Sequence, residues 1–534
     1  MEHLYWQTPE QREDLLKALV NFNTVTHSEG EKAFPEFLIN QLTQLTYFKT
    51  NSNHIHLVDT EDNKQAVVAY YQAPNTKRTV TLISHFDTVD TDDYSDYEPY
   101  ATQMDLLTRK FNEDSSFLDE NAIADLKSGD YLFGRGSMDM KPGLMLHMSL
   151  LEKAISELWN VNLVLIAVPD EEVNSSGMRA AMSFLKKLKD REDLDIRLHL
   201  NSEPTFQQET GDNSHYTYTG SIGKIMPSVL VYGRETHVGT PLNGVSSNFI
   251  QSYINQQVEY STAFQETFES EVSPLPVSLV MRDIKHHYDV QTPFKTLTLY
   301  NVFLFKHTPA EVFEKFNTLV RKGVNQAKAA YEERSQTAGS HRRIDIPVIT
   351  YDSLYYKAIE LLGSARVEEE IDQILEREQD ILQQSVKIVD RLLSLCRSLT
   401  PTVVTFFAPP YYPAVNNSYE DFVERLVTKV STTAQSQFGR PSRRIHYFNG
   451  ICDLSYVRLT HALGDMEVYR HNTPNFERSY TIPFQDIYEI SAPAFNCGPI
   501  GKDAHRVSER IYKKSAFEEL PVLVEAVVRE VEAQ

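Results

Sequence analysis

Cysteine is scarce in this chain of 534 residues: Cys396, Cys452 and Cys497 are its only three, and they lie far apart. So small and scattered a set excludes a cysteine-based zinc knuckle and predicts a protein of a reducing compartment, which we expect to be the cytoplasm. Residues 1–19 are polar, with no basic segment that leads into an apolar one, so a secretory signal is not expected.

Excess positive charge and long apolar runs are also lacking. The formal net charge of −22 argues against electrostatic binding of nucleic acid or of an anionic membrane surface, because both require a basic face. The sequence has no run of about 18 apolar residues, the length that would predict a membrane span. Hydrophobic residues still make up 41% of the chain, and its length exceeds what one core usually serves, so we expect two or more domains.

The N-terminal part of the chain alternates between helix and strand signals. Segments 9–19 and 33–45 have helical spacing, whereas 79–84, 161–168 and 196–200 are short and apolar or alternating, as buried strands are. This order predicts an α/β domain with a largely parallel sheet. In such sheets, ligands bind outside the carboxyl ends of the strands.

Acidic and histidine side chains directly follow these three strand-like runs: they are His85 after the first, Glu171 and Glu172 after the second, and Glu203 after the third. We therefore expect these side chains to gather at one edge of the sheet. Asp139 follows a turn with two glycines, which let the backbone pack closely beside a site. With His505 near the C-terminus, the set offers the imidazoles and carboxylates that suit a pair of zinc-like ions.

Each motif alone also has an ordinary structural interpretation. One residue separates His85 from Asp87, which places both side chains on one strand face, but such pairs are common. The functional hypothesis is that Asp87 holds the His85 imidazole in its ligating tautomer. Glu171 and Glu172 suit a solvated helix start, where acidic groups are favourable, or else one binds a metal and the other acts on the bound water.

After Gly220 the pattern becomes that of a compact β-α-β-α-β module, with segments 222–232, 247–262, 297–305, 310–333 and 346–351. An amphipathic stretch from Val367 to Cys396 follows, and its simplest interpretation is a helix that packs on the module or on a partner subunit. The predicted division has a first α/β part at 1–214, an inserted α+β module at 215–352, a helical insertion at 353–399 and a second α/β part at 400–534.

The joint pattern resembles the M20 family of di-metal aminopeptidases, carboxypeptidases and aminoacylases. The resemblance covers 9–203 and 448–530 and is carried by Ser84-His85-Phe86-Asp87-Thr88-Val89, Gly134-Arg135-Gly136-Ser137-Met138-Asp139-Met140-Lys141, Pro169-Asp170-Glu171-Glu172, and Gly498-Pro499 with His505 and Glu509. Within that family, the length of the chain and its long helical insertion make it most similar to the RocB-type arginine-utilisation proteins. The family likeness implies a di-metal α/β catalytic domain with an inserted α+β lid of the dimerisation type.

Carried over residue by residue, the resemblance implies two divalent metal ions, zinc first, with cobalt or manganese as alternatives. The implied ligand sets are His85, Asp139 and Glu203 for one ion and Asp139, Glu172 and His505 for the other. Asp139 would bridge the two ions, which repel each other unless a shared carboxylate lies between them. Glu171 would be the general base, and Asp87 would orient His85.

A separate histidine motif lies in the inserted module. Thr236-His237-Val238-Gly239-Thr240-Pro241 resembles the lid motif of M20 enzymes, whose histidine contacts the substrate and the developing oxyanion, often across a homodimer. His237 is therefore the candidate for that role. Ser246 and Ser247 stand where the family commonly has asparagine and alanine, so the other contacts of the lid are not carried over.

Together these features predict a cytoplasmic, metal-dependent hydrolase of amide bonds in small peptides or N-acyl amino acids, without nucleic acid or membrane partners. The RocB-type resemblance links it to arginine catabolism. Two alternatives stay open: an N-acyl amino acid deacylase instead of a dipeptidase, or a metal-binding regulatory or scaffold protein without activity. Glu171 argues against the last, because a pure binding site needs no base.

Overall fold

The computed structural model describes residues 3–209, 211–285 and 289–534. Numbered along the chain, the strands are β1 (Ile55–Asp59), β2 (Gln65–Tyr71), β3 (Arg78–His85), β4 (Tyr131–Phe133), β5 (Asn162–Val168), β6 (Asp195–Asn201), β7 (His215–Tyr218), β8 (Gly220–Ser221), β9 (Gly223–Tyr232), β10 (Thr267–Phe268), β11 (Glu271–Val272), β12 (Val277–Asp283), β13 (Lys295–Leu304), β14 (Val348–Thr350), β15 (Thr402–Tyr412), β16 (Val415–Asn416), β17 (Ser442–Ile445), β18 (Ala494–Cys497), β19 (Gly501–Lys502) and β20 (Arg510–Tyr512).

The α-helices of the described part of the chain are α1 (Pro9–Asn21), α2 (Glu29–Leu42), α3 (Thr46–Thr50), α4 (Met104–Glu113), α5 (Glu120–Ser128), α6 (Lys141–Glu157), α7 (Ser176–Glu192), α8 (Ser247–Val258), α9 (Pro309–Thr337), α10 (Tyr351–Leu362), α11 (Ser364–Arg377), α12 (Ile381–Leu395), α13 (Asp421–Phe438), α14 (Glu467–Asn472), α15 (Phe484–Glu489) and α16 (Leu520–Glu532). Across the described ranges, each helix is too short or too polar to cross a membrane.

The elements form two compact units. The first unit comprises the chain up to Ser221, Val415–Leu459 and Pro483–Gln534, and the second comprises Ile222–Ala414 and Thr460–Ile482. The second unit is thus inserted into the first. This arrangement confirms the predicted class, an α/β domain with an inserted α+β domain.

The first unit is built on a mixed sheet in the order β1-β2-β5-β3-β6-β18-β7-β17. Its central strands β5, β3, β6 and β18 run parallel. β5 is buried along its whole length, as expected of a parallel strand covered on both faces. One large core joins this sheet to α1, α2, α6, α13 and α16. The central strands therefore form a rigid frame whose carboxyl ends share one edge.

The second unit has a sheet in the order β12-β13-β9-β15-β14, with helices on both faces. Val404 and Phe406 of β15 share a core with residues of α10, α11 and α12. The intervening Thr405 points to the opposite face, where its hydroxyl donates to Asn317 of α9 at 2.7 Å. The amphipathic stretch 367–396 therefore packs on the module, but it forms two helices, α11 and α12, where a single helix is predicted.

The domain boundaries differ from the predicted ones in three places. β7 starts at His215 but belongs to the first unit, where it pairs with β17 and β18. β15 was expected in the second α/β part from residue 400, but it pairs with β9 in the second unit's sheet. Segment Thr460–Ile482 also belongs to the second unit. These assignments depend on pairing between distant segments, for which the local sequence carries no signal.

Candidate metal centre

The five predicted metal ligands converge at the carboxyl edge of the first unit's sheet. Their ligand atoms form two groups, each with all its atoms within 4.8 Å of one another: His85 with Asp139 and Glu203, and Asp139 with Glu172 and His505. Strand register explains much of this. Val168, the last residue of β5, lies opposite His85 at the end of β3, and Asn201 at the end of β6 lies opposite Ile83.

The first group is centred on the buried imidazole of His85. Its Nε2 atom lies 3.1 Å from Asp139 Oδ1 and 3.6 Å from Glu203 Oε1. Its Nδ1 atom lies 3.1 Å from the main-chain oxygen of Asp87. A carbonyl oxygen can only accept, so Nδ1 carries a proton, and Nε2 is the nitrogen through which the neutral ring can bind a metal. This tautomer is the one that a metal ligand requires.

The second group is centred on His505, in the turn between β19 and β20. Its Nε2 atom lies 3.3 Å from Asp139 Oδ2 and 3.2 Å from Glu172 Oε1. The two oxygens of Asp139 thus face different imidazoles, Oδ1 towards His85 and Oδ2 towards His505. This is the arrangement expected of a carboxylate that bridges two cations.

Close packing of the backbone fixes Glu203. A Cβ atom on Gly498 would lie 1.8 Å from the carbonyl oxygen of Glu203, so only glycine allows this approach. Asn496 also donates its side-chain amide to that oxygen at 3.1 Å. The Gly498-Pro499 motif near the C-terminus therefore holds the strand end that carries Glu203.

Burial dominates the electrostatics of the cluster. It raises the pKa of Glu203 well above its usual value and also raises the pKa of Glu172. Burial opposes ionisation of Asp139 too, but hydrogen bonds from His505 and His85 outweigh it and lower the pKa of Asp139. Hydrogen bonds to Asp139 and Glu172 raise the pKa of His505 to about 11. A bound divalent cation would act against burial and favour the ionised form of both glutamates.

The donor set fits a pair of divalent cations. Glu203 Oε1 is buried and accepts no hydrogen bond from any residue that the structure describes. A buried carboxylate oxygen without a partner is costly unless a cation or proton meets it. Two imidazole nitrogens and three carboxylates, one of them shared, are ligands that Zn²⁺ commonly takes. The residues present therefore suit the two ions implied by the sequence.

Asp87 connects His85 to the turn that carries the two glutamates. Its carboxylate accepts the main-chain N–H of Glu171 at 3.1 Å, that of Glu172 at 3.3 Å, and the hydroxyl of Thr26 at 2.9 Å. Its Oδ1 atom lies 3.5 Å from His85 Nδ1, farther than its own main-chain oxygen. Asp87 therefore contacts His85 chiefly through the backbone, and its carboxylate holds the Glu171–Glu172 turn.

Glu171 lies beside the first group without being part of either group. Its Oε2 atom is 3.9 Å from His85 Nε2, and the residue is 8% exposed. Burial raises the pKa of Glu171 well above its usual value, with the charge of Glu203 adding to the effect. A bound cation would act in the opposite direction. The position suits a group that exchanges protons at the edge of the cluster.

A buried ammonium group pairs with Asp170, the residue before Glu171 in the same turn. Lys64 Nζ lies 2.6 Å from Asp170 Oδ1, 3.1 Å from Asp62 Oδ2 and 3.3 Å from Glu31 Oε1. His27, Asp62 and Asp170 also come within ligand distance of one another, but the ammonium already supplies the cation there. Lys64 thereby compensates the burial of Asp170, the residue that precedes Glu171. No local pattern pointed to Lys64.

Two further carboxylates were not given roles from the sequence. Glu509 Oε1 accepts the main-chain N–H of Met138 at 3.0 Å, and its Oε2 pairs with Arg135 at 2.8 Å, so Glu509 holds the turn before Asp139. Asp453 is buried on the first unit, and burial raises its pKa to about 7, with the nearby His85 opposing the rise. Of the two, only Glu509 belongs to a sequence motif, the one that Gly498-Pro499 forms with His505.

His237 lies in the second unit, in the exposed loop that follows β9. The main-chain N–H of Gly239 donates to its Nδ1 atom at 3.0 Å. The neutral ring therefore carries its proton on Nε2, for which the described residues supply no hydrogen-bond acceptor. The predicted role of His237 at the oxyanion stays a prediction.

Comparison with known proteins agrees with this geometry. The model of Peptidase family M20/M25/M40 matches residues 81–529, and the chain belongs to this family of hydrolases. Bacillus subtilis YqjN is 35% identical over 526 residues, covering 97% of this chain and 96% of that protein. Bacillus subtilis RocB is 27% identical over 537 residues, covering 97% of this chain and 94% of that protein. The predicted family is confirmed.

A solved structure has the same fold. The M20 family metallo-carboxypeptidase Sso-CP2 from Sulfolobus solfataricus superposes with a TM-score of 0.56, covering 98% of this chain and 99% of that chain. Its sequence identity is 12%, so the likeness concerns the fold.

Proposed function

We propose that the protein hydrolyses amide bonds in small peptides or N-acyl amino acids and uses two divalent metal ions, zinc first among them. The observation that carries the proposal is Asp139, whose two oxygens face the imidazoles of His85 and His505, with Glu171 beside them. His85 and Glu203 would complete one site, and Glu172 and His505 the other. The family membership supports amide hydrolysis as the reaction class.

Bound divalent ions would supply Lewis acidity, polarising the scissile carbonyl and lowering the pKa of a bound water from 15.7 to about 7. Glu171 would take the proton of the attacking water on its carboxylate and return it to the leaving amine as the C–N bond breaks. The main-chain hydrogen bonds from Glu171 and Glu172 to the Asp87 carboxylate keep the turn that carries both glutamates fixed during this exchange. The products are a carboxylic acid and an amine.

The substrate proposal combines the family with one relative. RocB is similar to this chain over nearly its full length. The link to arginine catabolism is the one that the RocB-type resemblance of the sequence implies. Arginyl dipeptides and N-acylarginines are therefore the first compounds to test. A dipeptidase must accept a free α-amine, whereas a deacylase must accept an acyl group in that place, so the two series distinguish the proposed activities.

Metal analysis together with a hydrolysis screen tests the proposal. We expect about two zinc, cobalt or manganese ions per chain and hydrolysis of at least one series, lost on chelation and restored by adding the ion. Two bound ions without hydrolysis of either series or of a wider set of amides would favour the metal-binding scaffold. If the protein binds none of these three metals, the proposal is contradicted.

His237→Ala should lower turnover about 10² to 10³-fold, the usual effect of losing one oxyanion donor, with metal content unchanged. The reason is that the neutral ring can donate from Nε2, which has no acceptor within the described part of the chain, and that His237 belongs to neither ligand group. Steady-state kinetics with metal analysis measure the effect. His341→Ala is the matched control, because His341 is another exposed histidine of the second unit.

Mixing His237→Ala with Glu171→Gln tests whether His237 acts across a homodimer. Activity recovered after subunit exchange would show that one chain supplies His237 and the other supplies the base. Absence of recovery despite proven exchange would restrict His237 to its own chain. Parent-like turnover of His237→Ala alone would remove it from catalysis.

A further inference from the structure

A buried histidine, His147, contacts the neighbours of two residues of the first ligand group but has no role in the proposed chemistry. His147 lies on α6 and is fully buried. Its Nδ1 atom is 2.7 Å from Ser84 Oγ, and its Nε2 atom is 3.0 Å from Ser202 Oγ. Both ring nitrogens are thus used, and the imidazole links the end of β3 to the segment that follows β6.

The two serines each precede a residue of the first ligand group. Ser84 comes directly before His85, and Ser202 comes directly before Glu203. The helix that carries His147 begins just after Asp139, the third residue of that group. One imidazole therefore connects the three segments that carry His85, Glu203 and Asp139.

Packing around the first turn of α6 supports this connection. A Cβ atom on Gly143 would lie 2.8 Å from the carbonyl oxygen of Ser202, so the helix rests directly on that segment. The main-chain N–H of His85 donates to Met140 Sδ at 3.2 Å. The start of α6 therefore contacts both strand ends, and His147 adds directional bonds to both.

The ring brings no charge to the cluster. Burial lowers the pKa of His147 to about 3, so the imidazole is neutral at neutral pH. A neutral imidazole has one donor and one acceptor nitrogen, so one serine donates to it and the other accepts from it. Such a bridge fixes distance and direction without competing with the carboxylates for a cation.

We propose that His147 is a positioning residue that sets the separation of His85 and Glu203, and thereby the affinity of the metal site that they form with Asp139. The inference rests on the metal sites of the proposed function. It predicts a selective effect, because Glu172 and His505 have no contact with the Ser84–His147–Ser202 bridge among the hydrogen bonds of the described residues.

His199 offers a matched control. It is also fully buried, and its ring also makes two hydrogen bonds: Nε2 donates to the main-chain oxygen of Ile490 at 3.0 Å, and Nδ1 accepts from the Thr81 hydroxyl at 2.7 Å. It lies on β6 and contacts β3, as the bridge does, but it does so away from the ligand-bearing strand ends. A merely structural role would make the two histidines equivalent.

The experiment compares His147→Leu and His199→Leu with the parent. Thermal unfolding of the metal-free proteins measures the structural cost, and titration with Co²⁺ or Zn²⁺ against a competing chelator measures the number and affinity of bound ions. We expect both variants to lose stability, and only His147→Leu to bind one of two ions about 10-fold or more weakly, as loss of supporting contacts to ligands typically does.

Two outcomes would overturn the inference in distinguishable ways. If the parent binds two ions and both variants bind them with equal affinity, His147 only stabilises the fold while the proposed metal sites stand. If the parent binds no ion, the metal sites fail and the inference fails with them.

A second set of variants covers the case in which His147→Leu does not fold. Ser84→Ala and Ser202→Ala each remove one bond of the bridge with little change in volume, and Thr81→Val removes the corresponding bond to His199. We expect both serine variants, and not Thr81→Val, to weaken the same ion. Parent-like metal affinity in both serine variants would overturn the inference.

Discussion

Glu171→Gln should lower turnover about 10² to 10⁴-fold while both metal ions stay bound. Glutamine keeps the shape and burial of the side chain but cannot take up the proton of the attacking water. Glu171 belongs to neither ligand group, although its Oε2 atom lies 3.9 Å from His85 Nε2. The main-chain N–H groups of Glu171 and Glu172 remain bonded to Asp87, so the turn should keep its conformation.

Turnover and metal content must be measured on the same preparations. Glu172→Gln is the matched control, because it makes the same chemical change at the next residue, which faces His505 at 3.2 Å. We expect the control to lose activity together with a metal ion. A Glu171→Gln protein that turns over substrate at the parent rate would exclude Glu171 as the base, and one that loses metal would make it a ligand.

Local sequence patterns were sufficient to predict the site residues that directly follow strand ends. The apolar runs that became β3, β5 and β6 are short and clear, and the carboxyl-edge rule then placed His85, Glu171 and Glu203 together. His505 is different, since no strand rule brings a residue from near the C-terminus to this edge. Its place came from the family resemblance alone.

Long-range contacts account for what the sequence did not reveal. β15 is an apolar run that suits either unit, and only its pairing with β9 decides for the second. Lys64 and Asp170 are 106 residues apart, and His147 is 63 residues from Ser84, so their contacts exist only after folding. Within its helix, His147 has no local feature that distinguishes a bridge from an ordinary core histidine.

Asp139→Asn should abolish binding of both ions and lower turnover at least as much as Glu171→Gln does, by about 10⁴-fold, because the base has no metal-bound water to act on. Asp139 is the only residue common to both ligand groups, and its two oxygens lie 3.1 Å from His85 Nε2 and 3.3 Å from His505 Nε2. Asparagine keeps the shape but removes the negative charge that lowers the repulsion between two cations. One substitution should thus affect both sites.

The stoichiometry of bound metal separates bridging from ordinary ligation. After dialysis against one defined ion, elemental analysis should find two ions per chain in the parent, one in Glu203→Gln, one in Glu172→Gln and none in Asp139→Asn. Each glutamate belongs to a single group, so its loss should spare the other group. An Asp139→Asn protein that keeps one ion at full affinity would show that Asp139 binds one metal only, because a shared carboxylate cannot be lost from one site alone.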